Sequence, residues 1–167
     1  MRDSQQPAGF YQTGLYQACV PSGPEHCLNA RDDNCNGIAD EGCGLASGTV
    51  QFLMAWDLPG ADVDLYVSDP NGEQAEVGQL TGQGFTKERD CPGRRNDCHG
   101  VTLENVYLAA DHPVPHGHYT ARVRLQKLGP EDGPAHIDLY ARFGTQSQAQ
   151  RFTLEKPGDE RQFSFDW

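Results

Sequence analysis

Side-chain oxygens crowd one stretch of this 167-residue chain, CLNARDDNCNGIADEGC at 27–43, in an order that suits the binding of a hard cation. From Asp32 the series runs Asp32, Asn34, Asn36, Gly37, Ile38, Asp40, Glu41. That is a set of oxygens at alternate positions, then a glycine, a residue able to offer its carbonyl, and two late acids. Calcium takes roughly six to eight oxygen ligands, and a short alternating loop converges them where a glycine lets the backbone reverse. Asp32, Asn34, Asn36, the Ile38 carbonyl, Asp40 and Glu41 are therefore candidate calcium ligands. Acids this close repel one another. In an ordinary acidic disulfide loop solvent screens that repulsion, and in a metal loop the ion cancels it.

A second candidate is the pair Asp62 and Asp64 in ADVDLYVS. Residues two apart in a strand face the same side, so both carboxylates aim at one spot, which calls for a cation, a basic partner or a proton. Three histidines, His112, His116 and His118 in DHPVPHGH, form a third group of a kind that suits copper or zinc. Pro113 and Pro115 bar the helix that would put His112 and His116 on one face, and an exposed turn is the plainer reading.

Catalysis finds less support. The sequence has no Gly-x-Ser-x-Gly elbow, no His-Glu-x-x-His and no phosphate-cradling loop, and an even set of cysteines leaves no thiol obviously free to attack. Asp62 and Asp64 share one strand face, whereas glycosidase carboxylates must flank a cleft. The expectation is a protein that is not an enzyme.

Composition narrows the partners. Twenty-four acids against 13 bases give a formal charge of -11, which excludes a phosphate-binding basic face and with it nucleic acid, and favours multivalent cations. The six cysteines, at 19, 27, 35, 43, 91 and 98, lie among Gly, Pro, Asn and Asp and read as disulfides. That places the chain in an oxidising setting: extracellular, at the cell surface, or in the periplasm or outer membrane. Six cysteines allow about fifteen connectivities. Cys91 and Cys98 are expected to pair and close the loop CPGRRNDC. No transmembrane segment is expected, since the longest apolar run is FLMAW at 52–56. The start MRDSQQPAGFYQ has no apolar core of a signal peptide, so an export signal, if used, is expected to have been removed already.

These candidates need a scaffold. Residues 1–18 carry no periodicity and read as a flexible tail; 19–44 form a cysteine-rich metal-binding segment; 45–167 form a β-domain. The Asp32 series follows the ligand order of an EF-hand loop, but its twelfth position is Cys43 and its flanks are rich in Pro, Gly and Cys, so flanking helices are not expected. Beyond Gly48 short β-type runs alternate with turn signals: 50–56, 63–68, 76–80, 101–109, 118–128, 136–144, 150–155 and 161–167. Tyr119, Ala121, Val123 and Leu125 share one face, as do Ile137, Leu139, Ala141 and Phe143. Such alternation belongs to antiparallel sheets wetted on one side. The predicted fold is all-β, an antiparallel β-sandwich of jelly-roll type with about eight strands. Phe52, Trp56, Phe143 and Phe165 are assigned to its core, and Trp167 is expected to close it.

Two resemblances follow from these residues. Glu25, Cys27, Asn29, Asp32, Asp33, Asn34, Cys35, Asn36, Gly37, Asp40, Glu41 and Cys43 match the metal-binding repeat of MopE-like bacterial surface proteins, with Ala30 where a glycine often follows the asparagine. The phrases Trp56-Asp57, ADVDLYVSDPNG at 61–72, LENVYL at 103–108 and GHYTARVRL at 117–125 resemble YfaP-like and bacterial pre-peptidase C-terminal domains, which are secreted β-sandwich accessory modules. That second resemblance implies calcium ligands at Asp62, Asp64 and Glu104. It also implies a further acid from the loop RDCPGRRNDC, where Asp90 and Asp97 stand beside three arginines. Together the residues and resemblances imply a secreted or cell-surface, calcium-binding protein without catalysis, serving adhesion or recognition of a glycan or a surface protein. The alternatives are an accessory domain of a secreted protease or other hydrolase, and a copper-binding surface protein.

Overall fold

The structure, a computed structural model, describes residues 11–12, 19–93 and 98–167; candidate ligand Asp97 and most of the 1–18 tail lie outside them. The described residues contain no helix and nine strands: β1 (Tyr11–Gln12), β2 (Val50–Trp56), β3 (Asp62–Ser68), β4 (Phe85–Arg89), β5 (Leu103–Leu108), β6 (His118–Lys127), β7 (Ala135–Phe143), β8 (Gln146–Leu154) and β9 (Glu160–Asp166). They form two antiparallel sheets, ordered β1-β9-β6-β3 and β4-β5-β2-β7-β8. No helix among the described residues is long and apolar enough to cross a membrane.

Alternation of side chains explains why the two sheets meet. Val63, Leu65 and Val67 of β3 and Tyr119, Ala121, Val123 and Leu125 of β6 turn inward, with Leu65 opposite Val123 and Val67 opposite Ala121. From the other sheet Phe52, Met54, Ile137, Leu139, Ala141 and Phe143 complete the same core. Rings bridge the gap: Phe52 meets Phe165 edge-on at 5.5 Å and Tyr119 meets Phe143 at 5.0 Å. Trp167 stacks on Phe143 at 5.3 Å and closes that end of the sandwich, as its place after β9 predicts.

Strand β2 departs from alternation, since all seven of its residues are buried. Its outward residues Leu53 and Ala55, with Leu103 and Tyr140, are covered by Ala30 and Ala39 of the cysteine-rich segment, and Leu28, Leu45 and Val101 flank the contact. The segment is thus a lid on the outer face of the five-stranded sheet. Full burial of a leucine such as Leu53 stabilises by about 1.5–3 kcal/mol. Two interleaved disulfides, Cys19–Cys35 and Cys27–Cys43, hold the lid together, and each spans 16 residues. Cys91–Cys98 closes the predicted short loop.

One strand assignment needs correction. Residues 76–80 are not a strand: Val77 makes a single bridge to Lys87, Gly78 sits at φ 76°, and Val77 and Leu80 are exposed. The strand lies instead at β4, FTKER, whose charged residues conceal its inward face in any hydropathy pattern.

Candidate cation sites

Two strand pairings at the open side of the sandwich are irregular beside the acids. Pairing of β3 with β6 shifts register between Asp62 and Val63, and pairing of β4 with β5 shifts between Lys87 and Arg89. Bulges re-aim side chains, and these two lie on either side of a group of acids. One carboxylate oxygen each from Asp64, Asp90 and Glu104 lies within 4.8 Å of the others. This is the one group of three or more His, Cys, Asp or Glu side chains among the described residues that is placed to hold a metal ion. Asp62 stands beside it on the same face of β3.

Glu104 is the anchor. It is fully buried and in step with the inward residues Val106 and Leu108 of β5. Its Oε2 accepts the Leu65 amide at 2.7 Å and the Lys87 ammonium at 2.6 Å. The Leu65 bond closes one gap in the fold, because β3 is a sheet edge and its free amides need acceptors. The other oxygen, Oε1, is buried with no donor beside it. The Glu104 and Asp90 carboxyls stand close enough to share a proton, which adds to burial in holding Glu104 up and works against burial in holding Asp90 down. Lys87 also reaches Asp90 at 3.1 Å.

Electrostatics follow from crowding around one buried carboxylate, with Asp90 at the exposed rim. Burial pushes the Glu104 carboxyl well above its ordinary range, and Lys87 only partly opposes that. Asp62 is also raised, first by burial and then by Asp64 and Asp90. Burial works against the charge on Lys87, but Glu104 and Asp90 outweigh it and hold its pKa above the usual value. The site therefore favours added positive charge. Its donors are all oxygens, which suit calcium or magnesium better than copper or zinc, and Glu104 contributes a carboxylate oxygen to the group while its buried Oε1 accepts no hydrogen bond. The residues present fit a hard cation held by Asp62, Asp64, Asp90 and Glu104. Bound there, such an ion would supply structural charge neutralisation.

In the cysteine-rich lid the acids are arranged differently. Glu25 accepts the amides of Asp40 and Asn34 at 2.8 and 3.4 Å. Asp33 accepts from the His26 amide, the Asn29 side chain and the Ser22 hydroxyl. Asp40, one of the predicted ligands, turns its carboxylate onto the amides of Asn29 and Ala30 at 3.2 and 2.8 Å. Ala30 takes a left-handed φ of 55°, the conformation a glycine at that position would adopt most easily. Burial raises the pKa of Asp40 and of Glu25. For Asp33 burial pushes upward too, yet its hydrogen bonds, led by the one from Asn29, hold it below the ordinary value.

Of the remaining loop ligands, Asp32 accepts the amides of Asn36 and Gly37 at 3.1 and 2.7 Å, which folds the loop around its carboxylate. The Asn34 and Asn36 side-chain amides both donate to Glu41, at 2.8 and 2.6 Å, and keep its pKa low. Ile38 donates its amide to Asn36 Oδ1, and its side chain is exposed. Asp32, Asn34, Asn36 and Glu41 thus share one small loop. To coordinate an ion there, the two asparagines would have to turn their oxygens, not their amide hydrogens, toward Glu41.

Elsewhere the polar groups are largely engaged with one another. Between the lid and β7–β8 runs a groove of about 400 Å³, along which Arg31 and Arg151 both hold Asp138, at 3.0 and 3.1 Å. His118 pairs with Asp166 at 2.7 Å and His112 lies against the Ala110 carbonyl at 3.2 Å. Sequence reasoning missed Lys87 and Glu88. The latter accepts the Ala46 amide and the buried Asn105 side chain, tying the connection between lid and sandwich to β5. The signal for Lys87 was its alternation with Phe85, once FTKER is read as a strand. No family model matches the chain, and comparison with curated proteins and with solved structures found no match.

Proposed function

We propose that this chain is a secreted or cell-surface calcium-binding module without catalytic activity, whose principal ion site is the Asp62, Asp64, Asp90 and Glu104 cluster. One observation carries the reading. Asp64 of β3, Glu104 of β5 and Asp90, which directly follows β4, bring carboxylate oxygens together beside two register shifts, and the fully buried Glu104 has an oxygen that accepts no hydrogen bond. Close carboxylates of this kind are stabilised by an ion that is bound in the native state and absent from the unfolded one. Three disulfides support an oxidising compartment. The task of such a module would be adhesion or recognition, with calcium ordering the loops that meet a glycan or surface protein. The Asp32 loop is a second ion candidate, supported by the convergence of Asn34, Asn36 and Glu41.

Calorimetric titration of calcium into EDTA-treated protein tests the proposal. A saturable isotherm is expected in the native chain, and Asp64→Asn should remove the cluster's share of it. Identical heats in the two proteins would assign calcium elsewhere, and no binding in either would end the calcium reading.

A further inference from the structure

Lys87 is an unusual presence at a cation site. Its side chain is only 7% exposed, and its ammonium lies 2.6 Å from Glu104 and 3.1 Å from Asp90, two of the residues proposed to hold calcium. We infer that Lys87 is a tethered counter-cation that competes with calcium for this cluster and sets how weakly it binds; the inference rests on the cation-binding reading above.

The geometry gives the two cations overlapping claims. The ammonium takes Glu104 Oε2 together with the Leu65 amide and leaves Oε1 bare. An ion held by Glu104, Asp64 and Asp90 would therefore lie next to the ammonium and share Asp90 with it. Like charges at such separations repel strongly in a partly dry site, so each weakens the other. Without calcium, Lys87 compensates the buried Glu104, and the sandwich folds without depending on the ion. With calcium, the ammonium must shift. Lysine suits this because its charge rides on a flexible stem. An open cleft lined by Glu76, Gln79, Glu88 and Arg89 lies against Lys87 and offers its ammonium water and the Glu76 carboxylate as an alternative. The site is thereby placed in the weak class, with dissociation constants of about 10⁻⁴–10⁻³ M, and responds to calcium without holding it permanently.

The test compares calcium binding and thermal melts of the EDTA-treated wild-type chain and Lys87→Met, which keeps the stem and removes the charge. The cluster's isotherm is identified as the binding that Asp64→Asn abolishes. Lys87→Met should bind calcium about tenfold or more tightly. Without calcium it should melt below wild type, and calcium should restore it. Unchanged affinity in Lys87→Met, with Asp64→Asn still abolishing the cluster's binding, would overturn the inference and leave the cation site standing. Absence of that binding in both proteins would overturn both. Should Lys87→Met not fold even with calcium, the unaltered protein decides. The Lys87 ammonium resonance should shift and exchange faster with solvent on calcium saturation, and an unmoved resonance would refute the competition.

Discussion

The lid and the open side of the sandwich are both built on acidic side chains, yet they use them in opposite ways. In the lid, Glu25, Asp33 and Asp40 each point at backbone amides of a neighbouring turn. The chain there has no ladder: Leu28, Ala30, Cys35 and Asp40 all take positive φ, and the amides they leave unpaired need acceptors. Carboxylates supply them. In the sandwich the ladders already satisfy most of the backbone, so Asp64, Asp90 and Glu104 gather at one place, Asp90 and Glu104 on Lys87 and Asp64 on the Tyr66 hydroxyl. Crowded acids are therefore a cation signal chiefly where secondary structure has already satisfied the backbone.

That contrast can be broken at either end. The largest effect is expected from Glu104→Gln, which leaves the buried Lys87 ammonium with Asp90 as its charged partner; unfolding free energy should fall by about 3 kcal/mol in chelator, measured by urea denaturation. A loss well under about 1 kcal/mol would mean that Lys87 finds water instead. Replacing Cys27 and Cys43 by serine should destabilise by about 2–4 kcal/mol and detach the lid first, seen as early loss of amide protection in 19–44 while β6 and β9 stay protected. Simultaneous loss would show that lid and sandwich unfold as one unit. Asp40→Asn sets an NH2 against one of the Asn29 and Ala30 amides, which bond different oxygens of Asp40, and should cost about 1–3 kcal/mol with or without calcium. If its cost appears only with calcium, Asp40 is an ion ligand and the contrast fails. Least affected should be Arg31→Ala, at most about 1 kcal/mol, because that pair with Asp138 is half exposed.

Much of this organisation is legible in the sequence where a simple period governs it. The inward faces of β6 and β7, the shared face of Asp62 and Asp64 and the closing role of Trp167 all follow from alternation with a period of two. Other features depend on contacts that no local pattern encodes. Full burial of β2 reveals a second covering layer only after the lid is seen on Leu53 and Tyr140. Strand β4 hides because its inward Lys87 is charged and is compensated by Glu104, far away in sequence. Asp40 reads as a ligand from spacing, and its turn toward Asn29 and Ala30 depends on left-handed backbone that the residue types do not announce. Glu104 emerged from resemblance alone, since an acid inside a strand core has no signature of its own.

On this reading calcium stabilises the fold through the acids of β3 and β5 and the one that follows β4. Thermal melts of the wild-type chain and Asp64→Asn, each in EDTA and in about 10 mM calcium, test it most directly. Calcium should raise the wild-type melting temperature by several degrees, consistent with about 1–3 kcal/mol at concentrations ten to a hundred times the dissociation constant, and most of that rise should be lost in Asp64→Asn. An equal rise in both proteins would move the ion to the Asp32 loop, and no rise in the wild type would contradict the claim outright.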